Sequence, residues 1–87
     1  MRLTGVLVLD GKQVKTAGAE SKDPKKTFHA RLEESFIQLC KDLYISVPIW
    51  LDKNTKELSM CKKTSFYSDQ FNEDFFFDKF EMRIDKI

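Results

Sequence analysis

His29 is the only histidine of the chain, and Cys40 and Cys61 are its two thiols, so a metal centre or a Cys–His catalytic pair would have to be built around these three residues. His29 and Cys40 fall on the apolar side of one helical repeat. Their positions differ by 11 residues, which at the α-helical rise separates their backbones by roughly 16 Å, too far for a diad or a shared ion. Cys61 could approach either from a later segment, but a thiol and an imidazole without a third ligand do not make a zinc site. The adjacent acids Glu33-Glu34 and Glu73-Asp74 are the obvious carboxylate pairs, yet neighbours on a helix do not face each other, and solvated charge is the better reading. The three glycines, Gly5, Gly11 and Gly18, are too dispersed to form a phosphate loop. No catalytic residue, cofactor or metal ligand is assigned on these grounds, and the chain reads as a non-enzymatic protein.

Binding chemistry has more to work with. Seven of the eleven aromatic residues lie between positions 66 and 80. If this stretch is strand, alternation buries one side only: Phe76 and Phe80 fall together while Phe75 and Phe77 point the other way. Either another segment folds over these rings or they form a patch rimmed by acids, the anatomy of a protein interface. Trp50 is core or an interface anchor. Val6 and Val8, on the second face of an amino-terminal strand, are covered or half exposed. Trp50, Phe75, Phe77, Val6 and Val8 are therefore the candidate contact residues for a protein partner or for self-association. Nucleic acid is the weaker alternative: Lys12, Lys15, Lys22, Lys25 and Lys26 gather near the hairpin and helix start, and Lys62-Lys63 precede Phe66 and Tyr67, but Asp69, Glu73, Asp74 and Asp78 would repel phosphates.

Charge and length bound these options. The net charge is +1, with +4 over residues 1–31, balance over 32–68 and −3 over 69–87, so the chain as a whole is not steered to polyanions or lipid headgroups. The 87 residues make a single domain, and a core of this size supplies only about 3–5 kcal/mol without a staple, which adds a homodimer to the expectations. No run approaches the roughly 18 apolar residues of a membrane span, and Met1 leads into an alternating strand rather than a signal peptide. With no paired-Cys motif, a cytoplasmic protein with reduced thiols is expected.

The elements that would position these groups follow from local signals. Asp10-Gly11 between Leu3–Leu9 and Lys12–Ala17 predicts a type I′ hairpin with Leu7 opposite Val14, so that Leu3, Leu7, Leu9, Val14 and Thr16 share a face. A helix starts at Asp23-Pro24 or one turn later at Thr27 and ends near Leu43, with Phe28, Leu32, Phe36, Leu39, Cys40 and Leu43 on its apolar arc. Residues 44–51 read as a short strand ended by Asp52-Lys53-Asn54. Residues 53–63 suit either a helix, from the Asn54-Thr55-Lys56-Glu57 capping pattern, or an edge strand through Lys56, Leu58 and Met60; the strand is preferred. A helical turn begins at Ser68, and Phe80, Met82 and Ile84 alternate with charges in a final strand.

This order resembles the ubiquitin-like, β-grasp arrangement: an α+β fold with one amphipathic helix across a mixed sheet and a parallel pairing of first and last strands. The likeness is one of element order and carries no functional residues. It does set aside two activities of that fold, since the chain ends Ile84-Asp85-Lys86-Ile87 rather than Gly-Gly, and two cysteines cannot hold a ferredoxin cluster. Separately, Val47-Pro48-Ile49-Trp50-Leu51, Lys53-Asn54, Thr64-Ser65-Phe66 and Phe77-Asp78-Lys79-Phe80-Glu81 look like stretches of small uncharacterised Firmicutes proteins, which implies a bacterial intracellular protein and no mechanism.

Overall fold

Asp10 and Gly11 both take positive φ, 53° and 75°, and fold strand β1 (Arg2–Leu9) back on β2 (Lys12–Glu20), as a type I′ turn requires. These residues belong to a computed structural model that describes residues 1–86. Pairing starts in the expected register, Leu9 with Lys12 and Val8 with Gln13, and then slips: Leu7 lies opposite Lys15, leaving Val14 as the extra residue of a β-bulge. The predicted Leu7–Val14 pair does not form, and Val14 and Thr16 are exposed. Without the slip, Val14, Thr16, Gly18 and Glu20 would turn inward; with it, Lys15, Ala17, Ala19 and Ser21 do so, and Val14 and the Glu20 carboxylate stay in water. Lys15, drawn inward, sends its ammonium to the Leu43 carbonyl at 3.2 Å.

That carbonyl belongs to the end of helix α1 (Phe28–Asp42). Thr27 caps its start, the hydroxyl accepting from Ala30 N–H at 3.1 Å, so the later of the two predicted starts is the true one. At the other end Tyr44 N–H donates to Lys41 O and Ile45 N–H to Cys40 O, a Schellman closure with Tyr44, φ 57°, where glycine is usual. Phe36, Leu39, Cys40 and Leu43 are buried; α1 contacts β1 and β2, and the Phe36 ring reaches those of Phe66 and Phe80.

Residues 44–51, expected as a strand, take no sheet pairing. They form an extended strap, tied by Ile49 N–H to Gln70 O at 2.6 Å. Residues 53–63 are mostly helix rather than strand: α2 runs Asp52–Cys61, because the Asn54 carboxamide accepts from Leu51 N–H at 2.9 Å and so caps its first turn. Alternation through Lys56, Leu58 and Met60 misleads, since Leu58 alone of the three is buried. Lys62, at φ 61°, ends α2, and β3 (Lys63–Phe66), a 3₁₀ turn that begins at Ser68 as expected and runs to Gln70, and β4 (Lys79–Lys86) follow.

The sheet order is β2-β1-β4-β3, with every neighbouring pair antiparallel. The fold is thus α+β, but the single helix and the parallel first-to-last pairing of the β-grasp expectation are both replaced. The crossover carries two helices and delivers the chain to β3, parallel to β1 two places away. β4 then returns between them, antiparallel to both. Leu3, Leu7, Leu39, Phe66, Phe80 and Met82 are fully excluded from solvent at the centre.

Gly5 lies in that centre, where an added Cβ would sit 2.9 Å from the Phe80 ring and 3.3 Å from the methyl ends of Leu39 and Leu43. The absent side chain is what lets α1 descend onto β1. Gly5→Ala should lower stability by about 1–3 kcal/mol through overpacking; urea unfolding followed by circular dichroism checks it, and an unchanged midpoint would contradict the close approach.

Candidate functional site

α1 packs on β1 and β2 while α2 packs on β3, so the two helices stand apart above β4. The gap between them is a trough of about 630 Å³. Ile84 of β4 lies beneath, Leu32 and Phe36 come from α1, Leu58 from α2, and Val47, Pro48 and Trp50 of the strap close one end. Polar groups line it as well: His29 and Glu33 on α1, and Thr55, Ser59 and Lys62 on α2 and its cap. The walls are mainly apolar, and the volume falls within the roughly 300–1,000 Å³ of binding clefts.

The strap is held in place by amides buried beneath it. Asn54 and Gln70 are 0% and 2% exposed. Besides capping α2, Asn54 donates from Nδ2 to Thr64 Oγ1 at 2.7 Å and to Ser65 O at 3.1 Å. Gln70 Nε2 donates to Ile49 O and to Asn54 Oδ1, both at 3.1 Å, while its own Oε1 accepts from Tyr67 N–H. The Thr64 hydroxyl passes its proton-donor side to Glu57 at 2.5 Å. Strap, α2, β3 and the 3₁₀ turn are thereby joined through two carboxamides whose donors and acceptors are all used, the condition under which a buried polar cluster specifies one arrangement.

Trp50 is half-buried within this frame. Its ring meets Phe36 edge-on at 5.3 Å and 85°, and its Nε1 donates to Thr55 Oγ1 at 2.9 Å; the indole packs on the core and also lines the trough. Phe75 and Phe77 are also half-buried against the core. Phe75 stacks on Phe71 at 4.2 Å and meets Phe77 at 5.7 Å. The exposed ring of this stretch is Phe76, at 80%, not a companion of buried Phe80. β4 begins at Lys79, so the pleat that was to sort these residues does not reach them. Val6 is buried and Val8 half-buried on the outer sheet face, where Val6 lies opposite Thr16 and Glu81. That face is otherwise polar, with Lys79–Glu81 and Arg83–Asp85 ion pairs and the Thr4 hydroxyl bonded to Asp85. The structure therefore does not bring the five candidate contact residues together: Trp50 stands at the trough, Phe75 and Phe77 within the 71–77 loop, and Val6 and Val8 behind the sheet.

His29 lines the trough and Cys61 does not. Cys40 is buried, and burial pushes its thiol up to about 12, which removes it as a nucleophile at neutral pH. Among the described residues no group of three or more His, Cys, Asp or Glu is placed to hold a metal ion, and no helix is long and apolar enough to cross a membrane. Of the lysines offered to phosphates, Lys22 and Lys26 pair with Glu20 and Glu34, and Lys15 is committed to the end of α1. The trough was missed in the sequence because its second wall is α2; the asparagine and the capping spacing around it were the available signal. No family model, curated protein or solved structure matches the chain.

Two outcomes follow. Asn54→Ala should cost about 2–4 kcal/mol, because several buried partners lose their bonds at once; chemical denaturation measures it, and a loss below about 1 kcal/mol would mean the network does not hold the strap. In native protein a disulfide reagent should titrate exposed Cys61 rapidly and buried Cys40 only after denaturant is added; equal rates would contradict the burial.

Proposed function

We propose that this protein is a non-enzymatic interaction module that receives apolar side chains of a partner protein in the trough between α1 and α2. The observation that carries the reading is how the apolar surface continues past the rim. Phe28, Ile37 and Val47, which line the trough, are each about half exposed at its edge, and Ile49 and Leu51 of the strap are exposed as well. A small ligand filling the trough would leave those side chains in water, whereas a protein surface would cover trough and rim together. Trp50 supplies the rigid, partly desolvated aromatic on which such contacts concentrate their energy. A bacterial cytoplasmic setting rests on the likeness to small Firmicutes proteins and on two thiols left unbridged.

The test places a photo-reactive amino acid at position 37, on the rim, and as a control at position 13, on the exposed hairpin, in the producing cells. Defined protein adducts are expected from position 37, absent from position 13, and reduced at least about tenfold by Val47→Ser, a loss of roughly 1.4 kcal/mol. Light scattering across concentration then shows whether the partner is a second copy, since only that case gives a mass that rises in wild type and not in the variant. Adducts equal at both positions, or none at position 37, would defeat the proposal.

A further inference from the structure

β2 is an outer strand of the sheet, and the backbone groups on its free edge can be identified. Met1 N donates to Ser21 O at 2.8 Å and Ser21 N to Met1 O at 2.9 Å, so these two residues form a hydrogen-bonded pair. Such pairs alternate along an antiparallel ladder, which makes Leu3 with Ala19 and Gly5 with Ala17 the next two. The N–H and C=O groups of Thr16, Gly18 and Glu20 therefore point away from β1. Among the described residues no hydrogen bond takes them, and all three residues are exposed. Residues 16–19 carry no charge, no proline and no side chain larger than threonine, and the Val14 bulge lies before them. The usual devices that blunt a sheet edge are missing from this stretch.

Gly18 stands at the middle of that edge, and packing inside the chain does not require it. Its φ is not left-handed, and a Cβ there would meet nothing closer than the Leu3 carbonyl at 3.8 Å, an ordinary contact. Glycine inside a strand weakens it and often marks a place where another backbone comes close. Helix α1 adds a second observation. It packs on β1 and β2, with Leu39 and Leu43 above Gly5 and the Leu43 carbonyl at Lys15, and so runs back along β2. Its trough side presents His29, Glu33, Phe36 and Ile37. At about 100° per residue, Arg31, Gln38 and Asp42 lie on the opposite side, toward the β2 edge. Arg31 donates from Nε to Asp23 O, and neither Arg31 nor Asp42 belongs to an ion pair among the described residues.

We propose that a second copy of this chain adds to the β2 edge, with the two β2 strands antiparallel and the two-fold axis at Gly18. This register engages all three edge residues: Thr16 meets Glu20 of the second copy, Gly18 meets Gly18, and Glu20 meets Thr16, each pair exchanging two hydrogen bonds. The two Glu20 carboxylates stay roughly 14 Å apart along the strands, so no like charges are opposed. With neighbouring strands about 4.8 Å apart, the two α1 helices run antiparallel about 10 Å from each other, the spacing of packed helices. Arg31 of each copy then stands toward Asp42 of the other. This charge complementarity, together with the glycine on the axis, favours a second copy over an unrelated strand. The surface lies on the far side of α1 from the trough, and the proposal does not rest on the reading of the trough.

Sedimentation equilibrium across concentration, with amide hydrogen exchange followed by NMR, tests it. Mass should rise toward two chains. Over the same range exchange at Thr16, Gly18 and Glu20 should slow by about fivefold or more, while Ala17 and Ala19, already bonded to β1, stay unchanged. Gly18→Pro removes a donor that β1 does not use, so the strand tolerates it, and it should abolish the dimer. Arg31→Glu and Asp42→Arg, on the exposed side of the helix, act without touching the strand. Each alone should weaken self-association by about fivefold or more, and an equal mixture of the two should associate as wild type does, because the reversed charges then meet opposite ones. Constant mass, a dimer whose three edge amides stay fast, a folded Gly18→Pro dimer, or a mixture no tighter than either charge variant alone would overturn the proposal.

Discussion

The pair of buried carboxamides, Asn54 and Gln70, is the constraint on which the rest of the architecture turns. Each is enclosed, and an unpartnered amide in such surroundings costs about 1–3 kcal/mol. The pair is stable only because strap, helix, strand and 3₁₀ turn all supply partners at the same time. Satisfying one amide therefore fixes four segments together. Residues 44–51, which lack a ladder of their own, are held by this means across the end of the gap between the helices, and the apolar trough keeps its shape without any covering element.

The amino-terminal half solves a different problem with a single inserted residue. The hairpin turn dictates one register, the rest of the β1–β2 ladder keeps another, and the bulge at Val14 joins the two. Glu20 is released to solvent, where it pairs with Lys22. Lys15, turned inward in exchange, brings its ammonium to the carbonyl end of α1, the end of a helix that attracts positive charge. A local irregularity thus becomes a tie between sheet and helix.

Much of this was legible in the residues. Asp10-Gly11 announces the hairpin, Thr27 offers a helix cap, and the alternation through Phe80, Met82 and Ile84 marks the last strand, because each signal is local and strong. The second helix was not, since its apolar content is too small to show a period: its buried residues are Asn54 and Leu58, one of them polar, and a strand reading accommodates Leu58 equally well. The strand order failed with it, because a crossover of two helices changes where the chain re-enters the sheet. The bulge leaves no local mark in the residues, because it shows only in how the far end of β2 pairs with β1. The trough inherits these misses, for it is bounded by the element that was misread. Trp50 was recognised as either core or anchor, and its half-buried ring is in contact with both environments.

The two central strands, β1 and β4, come from opposite ends of the sequence. Their pairing closes a loop that spans nearly the whole molecule, which places the entropic cost of folding late and slows it relative to a helical protein of equal length. As the chain emerges from the ribosome, the hairpin and α1 are complete long before the strand that must lie beside β1 has been made. Until then β1 is paired with β2 alone and its other edge is open. The interval between synthesis of α1 and arrival of Phe80 is consequently when this protein is most exposed to chaperones and to aggregation.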